Sequence, residues 1–387
     1  MKKTIGILLG LCVAPMAWAL TGQQLLNQAK AASDPQTQIK LLTRAIAASP
    51  KLADAYHYRA DAYLGLGRHK LALEDYSKTI KLRPHDPFRY YARGLAYMNM
   101  GRDSLAVADL SKAITLKPGY RPFYLARARA YKASGKNDLS LTDYRHYLRG
   151  KTPRADLVWE MMPVYLSAYR YEDGDRMLDL LEETGNNSAD LFYWRGRVLL
   201  GQGQVDEAVS AFSKAIHRQA DYAPAYRYRA NAFKDIGDLE ASLEDYTVLV
   251  SLQPDALFFN RRGLVQEELH RLKQAEADYT RATELNPKWA IPFNNRGYVR
   301  MQLKNWEGAK EDLETAIRLD GATPTPYINL AGVYWLGKKD RKHAYQNLDK
   351  AVQRNFRDFK SLFDEEQKGW MFKGLNQTSG FRALLYK

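Results

Sequence analysis

The stretch Tyr90-Tyr-Ala-Arg-Gly-Leu-Ala-Tyr97 returns in altered form along the chain, as YHYRADAY from residue 56, FYWRGRVL from 192 and PFNNRGYV from 292. Each copy carries an arginine followed by Gly or Ala. The arginines are Arg59, Arg93, Arg127, Arg195, Arg229, Arg262 and Arg296, spaced 34, 34, 68, 34, 33 and 34 residues apart. A period near 34 is that of stacked supersecondary units, each too small to bury its own apolar face. In the unit from Pro87 to about Tyr120, Tyr90, Gly94 and Tyr97 recur at helical spacing and Gly101 ends that helix. A second amphipathic helix with Leu105, Ala106, Leu110, Ala113 and Ile114 stops at Pro118. Each unit is predicted to be a helical hairpin.

The 387 residues are 45% hydrophobic and 26% charged, the composition of a folded chain. The start differs. MKKTIGILLGLCVAPMAWA has two lysines, an apolar run from Ile5 to Ala14 and small residues at Ala17 and Ala19, which predicts a secretory signal peptide over 1–19. The run is short for a transmembrane anchor. Cys12 follows Leu11, not the small residue that lipidation needs, so removal of 1–19 leaves no cysteine and no thiolate chemistry. Export to the periplasm of a Gram-negative bacterium, or secretion, is the expected location, with no span in the mature chain.

The pattern resembles the tetratricopeptide repeat family. One unit places Tyr56, Ala60, Tyr63, Gly67, Ala72, Tyr76, Thr79 and Pro84 at the family's positions, and another places Tyr226, Ala230, Phe233, Gly237, Ser242, Tyr246, Leu249 and Pro254 there. A third, with Phe259, Gly263, Ala275, Tyr279, Ala282 and Pro287, departs at Gln266 and His270. Further units start near Arg121, Ala189, Ala290 and Pro324, the last with one extra residue around Lys339, and residues 20–52 supply a weaker opening unit. The fold class expected is all-α, an α-solenoid of stacked hairpins. Gly94, Gly196, Gly263 and Gly297, like Ala60, Ala128 and Ala230, are expected where the two helices of a hairpin approach closely.

An aspartate follows the arginine by sixteen residues in six units: Arg59 with Asp75, Arg93 with Asp109, Arg127 with Asp143, Arg229 with Asp245, Arg262 with Asp278, and Arg296 with Asp312. Arg195 lacks one, having Ala211, and the unit near Pro324 loses both, with Leu330 and Asn347. A planar guanidinium can bridge a carboxylate with two hydrogen bonds, so the six pairs are read as structural latches across the hairpins.

Between 155 and 188 the period survives without the signature. Met161 takes the arginine slot, and Pro163 falls within the first helix, where a kinked or shortened helix is expected. The organisation read from these features is a basic sub-array over 20–154, a degenerate repeat and possible joint over 155–188, a second sub-array over 189–357, and a capping tail over 358–387. That tail offers Phe359, Leu362, Phe363, Trp370, Phe372, Phe381 and Leu384 to cover the last hairpin. Residues 20–154 hold 24 Lys and Arg against 10 Asp and Glu, whereas 155–387 hold 32 against 34. The field of the first sub-array steers anionic partners, whether acidic protein segments or an anionic envelope polymer. Export argues against nucleic acid.

In the resembling family the first helices line a concave groove that takes peptides. The resemblance implies that His57, Asp61, Phe88, Tyr91, Leu95, Arg129, Lys132, Arg197, Arg227, Asn231, Asn260, Asn294 and Tyr298 face such a groove. Asparagines there pair with a peptide backbone, aromatics receive its side chains, and Arg129, Lys132, Arg197 and Arg227 receive carboxylates. Chemistry is not announced. HExxH, phosphate-loop and GxSxG motifs are missing, the seven histidines show no metal-ligand spacing, and the acids Glu267-Glu268 and Glu365-Glu366 are expected on solvent faces. The reading is a non-catalytic periplasmic scaffold for protein interaction, without cofactor or metal. The alternatives are an envelope or polysaccharide-export component that contacts lipopolysaccharide or cell wall, and an unannounced hydrolase.

Overall fold

The computed structural model describes residues 20–356 together with 358, 371, 372 and 375. Among the described residues there are twenty α-helices, one π-helical turn and no strand. The chain divides after Arg170 into two compact units, residues 1–170 and 171–387.

In the first unit, α1 (Gly22–Ala31) pairs with α2 (Pro35–Ala48), α3 (Ala53–Gly65) with α4 (His69–Leu82), α5 (Pro87–Asn99) with α6 (Asp103–Leu116), and α7 (Arg121–Ala133) with α8 (Asn137–Leu148). A ninth helix, α9 (Ala155–Ser167), packs on α8. In the second unit α10 (Tyr171–Glu182) packs on α11 (Ala189–Gly201), which pairs with α12 (Val205–Arg218). The series continues with α13 (Ala223–Asp235) and α14 (Leu239–Leu252), α15 (Ala256–Glu268) and α16 (Leu272–Leu285), and α17 (Ala290–Gln302) and α18 (Trp306–Leu319). The last hairpin is α19 (Thr325–Gly332), a π-turn (Val333–Gly337) and α20 (Arg341–Val352). Each second helix also packs on the first helix of the following hairpin, so within a unit every helix is covered by sequence neighbours.

The small residue after each arginine has a steric cause. A Cβ on Gly94 would stand 2.9 Å from Leu110 Cγ of the partner helix, and one on Gly196 would stand 2.5 Å from the Phe212 ring. At Ala60, Ala128 and Ala230 the methyl group fits and is fully buried. The hairpin turn also has one solution. Gly101 takes φ 66°, with its N–H bonded to Met98 O (2.9 Å) and that of Arg102 to Tyr97 O (2.9 Å), a Schellman closure of α5. His270 and Lys304 occupy the same turn place and hold φ 56° and 60°, against the preference of side-chain-bearing residues. The extra residue of the last unit is absorbed by the π-turn and by Lys339 at φ 54°.

The structure corrects the expectation of a shortened helix at Pro163. Helix α9 is thirteen residues long, the length of α3, α5 and α7, with Pro163 inside it and exposed to solvent. Of the tail, Phe372 is fully buried together with Met371 and Leu375, in one cluster with Leu330, Val333 and Leu348. The other tail residues named above lie outside the described residues.

Candidate functional site

The arginine series makes the same contact six times. Arg93 Nε donates to Asp109 Oδ2 at 2.7 Å and its Nη2 to Asp109 Oδ1 at 2.8 Å. Arg59 with Asp75, Arg127 with Asp143, Arg229 with Asp245, Arg262 with Asp278 and Arg296 with Asp312 form the same two-pronged pair within 2.6–2.9 Å. The aspartates are all buried, and their hydrogen bonds hold the Arg59, Arg93 and Arg127 guanidinium groups above their ordinary basicity. The third nitrogen points the other way. Nη1 donates to Thr43 from Arg59 (3.1 Å), to Ser77 from Arg93 (3.0 Å), to Ser111 from Arg127 (3.0 Å), to Ser213 from Arg229 (2.8 Å) and to Thr280 from Arg296 (3.1 Å). Those hydroxyls belong to the preceding hairpin, sixteen residues behind the arginine, a contact that the forward aspartate does not announce. Arg195 turns entirely that way and pairs with Asp175 (2.8 Å), Asp179 (2.6 Å) and Glu182 (2.8 Å) of α10.

The first-helix faces are supported from beneath by tyrosines of the second helices. The Tyr76 hydroxyl donates to Asp61 (2.5 Å), Tyr144 to Glu160 (2.8 Å), Tyr246 to Asn231 (2.7 Å) and Tyr279 to Glu267 (2.8 Å). Their rings are buried, and burial raises each phenol above its usual range, Tyr246 to about 12. His57 lies half-buried with Nε2 3.6 Å from Asp61, and desolvation lowers its pKa. Phe88 is 41% exposed, edge-on to Tyr120 and Phe123, with Lys117 Nζ 5.0 Å from its ring centre, while Tyr91 leans on Phe123. In the second unit Arg197 lies 4.2 Å from the Tyr228 ring centre and donates to Tyr193 Oη at 2.9 Å, with Arg227 4.9 Å from the same Tyr228 ring.

Four of the expected groove residues bond other side chains or backbone of the protein. Arg129 is already committed, donating to both oxygens of Glu160 at 2.8 Å, and Lys132 Nζ donates to the Glu160 carbonyl at 3.0 Å. Asn260 is 3% exposed and accepts from Asn295 (3.1 Å), which also accepts from Asn294 (3.3 Å). Asn294 in turn accepts from Asn329 at 2.9 Å. Side-chain amides that bond across successive hairpins form a ladder, buried at Asn260 and half-buried at Asn294. Tyr298 is half-buried against the C-terminal core. Nor is Glu267 a bare solvent acid, since it receives Tyr279, and Glu268 pairs with Lys234 (2.7 Å). Glu365 and Glu366 lie outside the described residues. Among the described residues no group of His, Cys, Asp or Glu could hold a metal ion, and no helix is long and apolar enough to cross a membrane.

Family models described as tetratricopeptide repeat match residues 53–86, 89–120, 170–224, 193–256 and 257–288. This is a tetratricopeptide repeat protein. Among curated proteins, the tetratricopeptide repeat chain is similar to DnaJ homolog subfamily C member 3 of Rattus norvegicus, 33% identical over 93 residues, which are 24% of this chain and 18% of that protein. It is also similar to Tetratricopeptide repeat protein 13 of Homo sapiens, 29% identical over 110 residues, 27% of this chain and 13% of that one. The chain thus spans less than a fifth of the length of these two relatives. The solved C-terminal part of a TPR repeat-containing protein from Cytophaga hutchinsonii shares the fold at 16% identity, over 62% of this chain and 98% of that one, with a TM-score of 0.50. A tetratricopeptide repeat array is a protein-interaction scaffold, and such arrays are generally non-catalytic.

Proposed function

We propose that the first-helix faces form a groove that binds an extended or helical segment of a partner protein, and that the chain acts as a non-catalytic scaffold in a bacterial cell envelope. The observation that carries this reading is a polar head fixed from below in each unit, Asp61 by Tyr76 in the first, which also exposes the ring of Phe88, and Asn231 by Tyr246 in the second. Groups already held in one rotamer lose little entropy when they hydrogen-bond a ligand, and an aromatic edge supplies apolar contact next to them. Cations sandwiched on rings, such as Arg197 on Tyr228, add a site for a partner carboxylate.

The test is capture from solubilised envelope by the mature chain, compared with Phe88→Asp and Arg197→Glu variants whose melting temperatures are unchanged. A partner protein retained by the wild type and lost by either variant supports the groove. Capture that is equal for all three overturns it. A second reading, contact with an anionic envelope polymer, is favoured by the excess of 24 basic over 10 acidic residues in 20–154. Loss of lipopolysaccharide or wall polymer alone would select it. Export is tested separately by N-terminal sequencing of the chain from a periplasmic fraction, where Leu20 is the expected first residue.

A further inference from the structure

The hairpin turns of the first unit carry a row of side chains that packing does not use. Leu71, Leu105 and Leu139 stand on α4, α6 and α8, twelve residues after Arg59, Arg93 and Arg127, and are 41, 47 and 49% exposed. In the second unit the same place holds Glu207, Ala241, Gln274 and Gly308. The repeat therefore has no need of leucine there, and three in phase set an exposed apolar side chain at the same place of successive hairpins.

The charges beside these leucines are also left open. Elsewhere a turn cation meets an acid of the preceding turn: Arg271 pairs with Glu240 (2.6 Å), Lys338 with Glu307, and Arg170 with Asp138 (3.8 Å). For Arg102 the place of that acid is taken by Lys70, and for Lys136 by Ser104. Among the described residues, Lys70, Arg102 and Lys136 form no ion pair, in contrast to those three turn cations. Lys70, Lys81 and Arg102, with Glu74 as the only acid, rim a cleft of about 640 Å3 whose apolar lining is Leu73 and Met100.

We propose that this turn edge of the first unit docks an acidic amphipathic segment of a partner protein, with its apolar side on the three leucines and its carboxylates on Lys70, Arg102 and Lys136. The surface is separate from the first-helix face and does not rest on the proposed groove. Arg102 opposite Lys70 is a like-charge juxtaposition that an arriving carboxylate relieves. A simple polyanion would satisfy the cations and leave the leucines wet. A bilayer would cover the leucines, yet it has no side chain to enter the cleft over Leu73 and Met100. An amphipathic protein segment meets all three features.

The test uses the mature chain and a fluorescently labelled synthetic helix of Leu and Glu, with all leucines on one face. The comparison probes are the same composition scrambled, poly-glutamate, and phosphatidylglycerol vesicles. Leu105→Gln with Leu139→Gln installs the residue found naturally at position 274, so the fold is retained; thermal melts confirm this. The amphipathic helix is expected to bind the wild type, to lose about tenfold or more in affinity to the Leu pair variant and to Arg102→Glu, and to be indifferent to Gln274→Ser. Equal binding of the scrambled peptide or poly-glutamate would overturn the proposal in favour of plain charge attraction. Binding confined to vesicles and lost in the same variants would reassign the edge to a lipid surface. No binding of the amphipathic helix would remove it.

Discussion

Arg195 bonds Asp179 at 2.6 Å, sixteen residues behind it, where six other arginines of the series bond an aspartate sixteen residues ahead. The backward place holds a serine or threonine for Arg59, Arg93, Arg127, Arg229 and Arg296. Moving the carboxylate from the forward to the backward side, with Ala211 left in the forward place, keeps the part-buried guanidinium neutralised. Asp179→Ala should therefore destabilise the protein, and adding Ala211→Asp, which restores the forward acid, should recover stability. In the wild-type background Ala211→Asp should be destabilising, because Arg195 already faces three carboxylates. Urea midpoints of the four proteins decide; a rescue no larger than the wild-type effect would refute the exchange.

The Arg93–Asp109 pair should behave as one unit. Asp109 is 7% exposed, so removing its carboxylate strands a guanidinium and should cost about 3 kcal/mol or more. A double-mutant cycle with Arg93→Leu and Asp109→Leu should give a coupling of about 1–3 kcal/mol. Zero coupling would mean the pair is incidental.

Alanine at Gly196 should cost more than alanine at Gly94. Both changes gain about 1 kcal/mol of helix propensity, but at Gly196 the new methyl group would stand 2.5 Å from the rigid, fully buried Phe212 ring, whereas at Gly94 it would stand 2.9 Å from Cγ of the equally buried Leu110. Both variants should be destabilised, Gly196→Ala the more, by about 1–3 kcal/mol. Thermal unfolding of the two variants is the measurement.

Lys304→Gly should stabilise the protein by about 0.5–1 kcal/mol, since glycine has no Cβ to oppose φ 60°. A melting temperature that falls would show that the lysine side chain matters more than the turn.

Acid should weaken the attachment of α9 first. Burial pushes the Glu160 carboxyl up, but hydrogen bonds from Arg129 and Tyr144 outweigh it and hold the pKa below its ordinary 4.5. A carboxyl depressed on folding contributes stability that is fully present above the unfolded value and is lost as pH falls through the folded one. The urea midpoint of Glu160→Gln should thus lie below that of the wild type at pH 7, and the difference should shrink below about pH 4.5. A gap that persists into acid would assign the effect to packing.

Much of the fold could be read from the chain because it repeats in phase: the arginine spacing marked the hairpins, and the offset of sixteen marked the paired aspartates. What escaped was whatever breaks phase or crosses between repeats. Arg129 and Lys132 looked like open cations because their acceptor, Glu160, sits in the repeat that has lost its arginine. Asn260 and Asn294 looked like peptide ligands because an amide ladder over thirty-five residues leaves no local signature. Pro163 predicts a kinked or shortened helix, yet α9 keeps thirteen residues with the proline inside it.

The two-sided bonding of the arginines bears on how such a chain can grow. The hairpins α3–α4 and α5–α6 each bring an arginine for the hydroxyl behind and a hydroxyl for the arginine ahead. A duplicated segment of one period, inserted in phase between these two hairpins, would leave no arginine or hydroxyl of the series orphaned at either seam. Lengthening by whole repeats is therefore nearly neutral in polar satisfaction, whereas an insertion of any other length must be taken up locally, as the π-turn at Val333–Gly337 does.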